Sequence, residues 1–403
     1  MKRILERFLK YVSFDTQSDD KSKAHPSTEK QRKLAEYLAD ELKWIGVNDV
    51  VVSETCYVYA KIPATSGLES AEPLGLIAHM DTALEVSGAN VHPQVIENWD
   101  GRAIPLGSTG MELQPSDCYR SKTIITTDGT TLLGADDKAG IAVIVTAVSR
   151  LLESGVPHGP VCLAFTPDEE IGEGAENFEP DSFGARFAFT LDGGEVELLE
   201  TENFNAASAD VTVHGKVYHP GGAYHRMVNA LLVSNEFCRA LPSEMVPEQT
   251  RGREGFFYLN EMSGNSGLAA MHFLIRDFDT EKFEHKKQLM LAIADKMNET
   301  YGGGTITVEI KEQYQNMKRR LDKYPQIADA ARNAIASVGL VPKESLIRGG
   351  TDGAHLAEKG VFCPNLGDGC HNAHGIYEYA VLEEMELGVQ IVIALAGEFA
   401  DMH

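Results

Sequence analysis

The sequence predicts an α/β protein whose helix-flanked sheet is interrupted by a smaller, two-layer α+β unit. Three observations predict it. Helices and buried strands alternate up to about Asn205, the order then changes to βαββαβ, and the helix–strand alternation resumes after Met317. A chain of 403 residues also exceeds what one hydrophobic core usually serves. The expected division is a main domain formed by 1–204 and 318–403, with an inserted domain over 205–317.

The elements follow in order. Arg3 to Phe14 places Ile4, Leu5, Phe8, Leu9 and Val12 on one helical face. Pro26, Ser27 and Thr28 open a second helix that turns Leu34, Leu38, Leu42 and Ile45 inward and stops at Gly46. Tyr57–Ile62 and Leu74–Ala78 read as strands, the second ending in His79-Met80-Asp81. Ala89–Lys122 is rich in Gly, Pro and Ser and reads as a long functional loop. Gly140–Leu152 is a helix between that loop and two strands, Val161–Phe165 and Phe187–Leu191. In the inserted domain the strands are Ala206–Val213, Gly255–Glu261, Gly267–Arg276 and Thr305–Ile310, and the helices Met227–Leu241 and Thr280–Tyr301. Pro325–Val338, Phe362–Leu366 and Val381–Phe399 then complete the main domain.

Composition narrows the function classes. Net charge is −24, which opposes binding to nucleic acid or to an anionic membrane surface. Six cysteines without a CxxC pair fit a reducing compartment. The charged, amphipathic start MKRILERFLKYV is not a signal peptide, and no apolar run reaches the length of a spanning helix. A cytoplasmic protein is expected.

Acid and imidazole groups collect where strands end: His79 and Asp81, Glu169 and Glu170, Asp192, and His374 after the last strand. Asp136 and Asp137 stand just before a helix. Ligands of open α/β sheets gather at the carboxyl ends of strands, and two histidines with several carboxylates make a metal site in type and number. The adjacent glutamates of FTPDEEIGEG sharpen the point, because two carboxylates at the end of a buried strand require a positive charge between them. Each piece alone has a plainer reading: a satisfied histidine, a solvated doublet, a helix N-terminus favoured by Asp136-Asp137, a turn at Asp192-Gly193-Gly194. Their shared placement is what favours the metal site.

HMDT, LLGADDKAG, FTPDEEIGEG, LDGGE and NAHG occur here in an order and spacing that resemble the peptidase T family, within the clan of two-zinc carboxypeptidases, aminoacylases and succinyl-diaminopimelate desuccinylases. KYVSFDTQSD, YVYAKIPA, REGFFYL and RGGTDGAHL extend the resemblance over essentially the whole chain. The resemblance implies a zinc-exopeptidase-like main domain with a mixed sheet flanked by helices, and an inserted lid. It implies two zinc ions per subunit, one held by His79 and Asp192 and the other by Glu170 and His374, with Asp136 bridging and a cis peptide after Asp136. Glu169 would be the general base. Asp81 would accept the second ring N–H of His79. His219, Asn229, Arg276 and Arg348 would contact substrate, with Asn229 as a plain helix position and Arg276 as a strand-end ion pair weighed evenly against that role. His371, three residues before His374, competes for the metal role; His374 is preferred because it precedes glycine.

The implied activity is release of the N-terminal residue from tripeptides, with a short peptide as the partner and a homodimer as the assembly the resemblance allows. Another amide hydrolysis of the same clan (dipeptidase, carboxypeptidase or N-acyl amino acid deacylase) is the alternative, and a non-catalytic metal- or peptide-binding protein is the alternative of a different class. The second expects lost ligands or a replaced base, and every one of those residues is present.

Overall fold

The computed structural model describes residues 1–402, which fall into two compact units. The first comprises Met1–Thr201, Met317–Ser345 and the chain from Thr351 onward; the second comprises Glu202–Asn316 with Leu346–Gly350.

Among the described residues the first unit is built on an eight-stranded mixed sheet. Its strands lie in the order Asp49–Val52, Val58–Ile62, Val161–Thr166, Leu74–His79, Phe187–Leu191, Asn365–Leu366, Leu198–Asn203 and Lys343–Ile347. The central four, from Val161–Thr166 to Asn365–Leu366, are parallel to one another. VCLAFT, LGLIAH and FAFTL are buried at every position, as expected of strands covered on both faces. One face carries the helix Ala135–Ser154, which packs against Lys2–Val12 and Leu382–Ala400. That helix is buried almost all round because its sequence is apolar all round. The other face carries a cluster that includes Tyr57, Tyr59, Phe178, Phe183 and Leu356.

Register aligns the exits. His79 lies beside Thr166, Ile77 beside Thr190, and Leu366 beside Leu191. The chain therefore leaves four adjacent parallel strands at the same edge, which is where the acid and imidazole residues occur.

The second unit is an antiparallel sheet in the order Phe256–Gly264, Leu268–Asp277, Asn205–His214, Ile306–Tyr314. The helices Ala230–Ala240 and Thr280–Tyr301 share its core, where Val211, Val233, Phe237, Phe273, Ile275, Phe283 and Met290 meet. Asp279 caps the second helix by accepting the Lys282 N–H at 3.0 Å.

Two expectations need correction. Ala89–Lys122 is not a bare loop: Gln94–Ile96 joins Ile124–Thr126, Tyr379–Val381 and Cys370–His371 in a small antiparallel sheet, over a cluster of Trp99, Leu106, Leu113, Tyr119 and Ile124. The segment holding Arg348, read as part of the main domain, groups with the second unit. Among the described residues no helix is long and apolar enough to cross a membrane.

Candidate metal centre

Asp136 sits between two histidines. His79 Nε2 is 2.8 Å from its Oδ1 and His374 Nε2 is 3.5 Å from its Oδ2. Each histidine has a carboxylate of its own: Asp192 Oδ1 lies 3.7 Å from His79 Nε2, and Glu170 Oε2 lies 3.0 Å from His374 Nε2. His79, Asp136 and Glu170 offer ligand atoms within 4.8 Å of one another, as do His79, Asp137 and Asp192.

Local structure explains how these side chains converge. Asp136 and Asp137 depart from helical backbone at the start of Ala135–Ser154, and the peptide between them is cis. Asp137 is turned inward and already satisfied, accepting the N–H groups of His79 at 3.1 Å and Gly140 at 3.1 Å. Asp136 is thereby left to face the histidines. Gly140 permits the approach: a Cβ there would stand 2.1 Å from the Leu191 carbonyl oxygen. Its missing side chain lets the helix press against the strand that ends at Leu191, one residue before Asp192.

The glutamate doublet occupies a 3-10 turn, Glu169–Ile171, flanked by left-handed Asp168 and Gly172. Successive side chains in such a turn point about 120° apart, so the two neighbours can serve different partners. The turn is fastened at its start. The Asp81 carboxylate accepts the backbone N–H of Glu169 at 3.0 Å and of Glu170 at 3.1 Å, and the Ser18 hydroxyl at 2.9 Å. Asp168 accepts from the Ser27 N–H at 2.8 Å and from Gln31 Nε2 at 2.6 Å. Asp81 also meets His79 Nδ1, as expected of it, with its carbonyl at 3.2 Å and its carboxylate at 3.5 Å, while the same carboxylate holds the doublet's backbone.

Charge in the cluster is out of balance. Burial pushes the Glu170 carboxyl up from its usual range, and burial together with the charge of Asp136 pushes Asp192 well above it. Glu169 is likewise held well above the carboxylate range, by burial and then by Asp192. Burial also opposes ionisation of Asp136, yet His374 and His79 outweigh it and keep that carboxyl well below its ordinary value. His374 is in turn pushed up to about 11 by Asp136 and Glu170. Glu170 Oε1 is buried with no hydrogen-bond partner among the described residues. Each buried carboxylate costs several kcal/mol, and two imidazoles cannot offset so many. Divalent cations fit this donor set: mixed imidazole and carboxylate, with a buried oxygen left open.

His371 is removed from the competition. Its Nε2 pairs with Glu384 Oε2 at 2.8 Å and its ring stacks on Tyr379 at 4.8 Å. The four expected substrate residues lie in the second unit. His219 is exposed on a short 3-10 turn, with Nδ1 accepting the Gly221 N–H. Asn229 caps Ala230–Ala240 through the Leu231 N–H at 3.1 Å. Arg276 donates to the Ala207 and Ile275 carbonyls and lies over the Tyr314 ring, so backbone bonds stand in place of the strand-end ion pair weighed as the plain alternative. Arg348 donates to the carbonyls of Gly252, Glu254 and Thr250 and to the Thr250 hydroxyl, above Phe204 and Phe256. Sequence reasoning missed Asp168, whose only local signal is its place beside the doublet.

Residues 123–398 match the family model described as Peptidase family M20/M25/M40. The chain is 47% identical to Peptidase T of Clostridium perfringens (strain 13 / Type A), over 100% of both chains. It is 47% identical to Peptidase T of Halothermothrix orenii, over 99% of this chain and 100% of that one. Among solved structures, the aminopeptidase PepT of Bacillus cereus aligns over 99% of both chains at 23% identity with a TM-score of 0.78. A dinuclear metal binding peptidase of the M20 family from Bacillus subtilis aligns over 98% of this chain and 97% of its own at 16% identity, TM-score 0.67.

Proposed function

The chain belongs to the peptidase T branch of peptidase family M20/M25/M40, and on that footing we infer that it is a metal-dependent tripeptide aminopeptidase whose centre holds two zinc ions. The observation that carries the two-ion reading is Asp136 lying between His79 and His374, each with a carboxylate of its own. His79 and Asp192 would hold one ion and Glu170 and His374 the other, with Asp136 facing both histidines. When bound, the ions supply Lewis acidity to the scissile carbonyl and lower the pKa of water.

The remaining chemistry is carried by the chain itself. Glu169 takes a proton from the attacking water and returns it to the departing amine. Burial and then Asp192 hold its carboxyl above the ordinary carboxylate range, which strengthens it as a proton acceptor. Asp81 acts by fixing the turn, so that Glu169 and Glu170 keep separate directions. Of the four residues expected to contact substrate, His219 is the one we retain first. Asn229, Arg276 and Arg348 already have work within their own unit, and Arg348 has one donor, Nε–H, left for a substrate carboxylate. Free thiols at all six cysteines support a cytoplasmic location, and a homodimer belongs to the same reading.

The test is a length series. Zinc-loaded protein is assayed on di-, tri-, tetra- and decapeptides with free or acetylated N-termini. Turnover should peak at tripeptides with a free N-terminus. Equal rates for tripeptides and decapeptides, or fast cleavage of acetylated peptides, would overturn it.

A further inference from the structure

One buried carboxylate outside the ligand set is committed to the metal centre from the far end of the chain. Glu378 is 1% exposed. Its Oε2 accepts the N–H groups of Leu133 and Gly134 at 2.7 Å each, and its Oε1 accepts the N–H of Asp136 at 2.9 Å. Left-handed Gly134 turns these N–H groups inward at the start of the helix Ala135–Ser154, forming a concavity suited to an anion.

Glu378 is itself fixed relative to His374. Its N–H donates to the Gly375 carbonyl at 3.2 Å, its carbonyl accepts the Thr126 hydroxyl at 2.9 Å, and Tyr379 after it pairs with Thr126 in the small sheet. One short segment therefore carries His374 at its start and, four residues on, the carboxylate that holds the backbone of Asp136.

We propose that Glu378 is a positioning residue for the metal centre, clamping the loop that bears Asp136 to the segment that bears His374. The inference rests on the two-ion reading and deepens it. An ordinary helix cap would add stability wherever it stood. This one bonds the N–H of the bridging residue itself, so its loss should be felt at the metal.

Glu378→Gln keeps the shape but replaces one acceptor oxygen with an NH2 that faces an N–H. The experiment titrates chelator-treated wild type and variant with zinc, records the visible spectrum of the cobalt-loaded proteins, and measures the thermal midpoints of the metal-free forms. The expected result is a 10–100-fold loss of metal affinity, the range for residues that orient metal ligands. An altered cobalt band and a metal-free midpoint close to wild type should accompany it. Glu378→Asp, which keeps the charge on a shorter arm, should weaken binding less; it decides the matter by the same affinity and spectrum if the glutamine variant does not fold. Wild-type affinity and an unchanged cobalt spectrum, with only the metal-free midpoint lowered, would make Glu378 a plain cap and overturn the proposal. Wild-type protein that takes up no metal would overturn the two-ion reading itself, and the clamp with it.

Discussion

Glu169 and Glu170 are neighbours that a 3-10 turn aims apart and Asp81 fixes from behind, which is what the proposed division into base and metal ligand requires. Glu169→Gln should leave metal content intact and lower turnover on the order of 10²–10⁴-fold, the usual worth of a general base. Glu170→Gln should lower metal content first, measured by elemental analysis after desalting. Equal loss of metal in both would contradict the division. His371→Asn should retain metal, since that ring is paired with Glu384 and not with the cluster. At this scale the sequence was informative where chemistry is local. Strand-end His79, Asp192 and the doublet can be found without coordinates, and the choice of Asp136 over Asp137, taken from resemblance, has a geometric reason in the backbone bonds of Asp137. The reach of Asp81 and the role of Glu378 were hidden. Their partners are backbone N–H groups, which carry no residue identity, and for Glu378 they lie more than 240 positions away.

The buried strands and long helices announce themselves by continuous apolar runs or by helical periodicity, so Phe187–Leu191 and Thr280–Tyr301 match their expected bounds. Strands of two or three residues, such as Gln94–Ile96 and Ile104–Pro105, are too short to show any period. They exist because partners distant in the chain complete them. The contact between the helix Ala135–Ser154 and the strand ending at Leu191 depends on Gly140. Gly140→Ala would force a Cβ to 2.1 Å from the Leu191 carbonyl oxygen. The helix must shift, at about 1–3 kcal/mol for an overpacked core, and Asp136 moves with it. A lower denaturant midpoint together with weaker zinc binding is expected; an unchanged midpoint would show that the contact relaxes without cost.

Across the molecule, a net charge of −24 and a cluster of carboxylates make metal loading a question of protons. In the metal-free protein His374 holds its proton up to about pH 11, and burial keeps protons on Glu170 and Asp192 above the ordinary carboxylate range. All three groups bind protons more tightly than usual, and cations must displace those protons. Apparent zinc affinity should therefore rise steadily from pH 5 to pH 8, with proton release visible as a dependence of binding heat on buffer ionisation enthalpy. The gain in thermal midpoint on adding zinc, about 2.7 kcal/mol of stability at a hundredfold excess over Kd, should shrink as pH falls. An affinity flat in pH would contradict the protonation scheme.

The two-ion centre itself is tested most directly by calorimetric titration of chelator-treated protein with zinc, alongside Asp136→Asn. Asp136 is the carboxylate that faces both histidines. The wild type should take two ions per chain, and the variant, still folded by circular dichroism, should lose tight binding of both. One ion or none in the wild type, or two retained by the variant, would contradict the account.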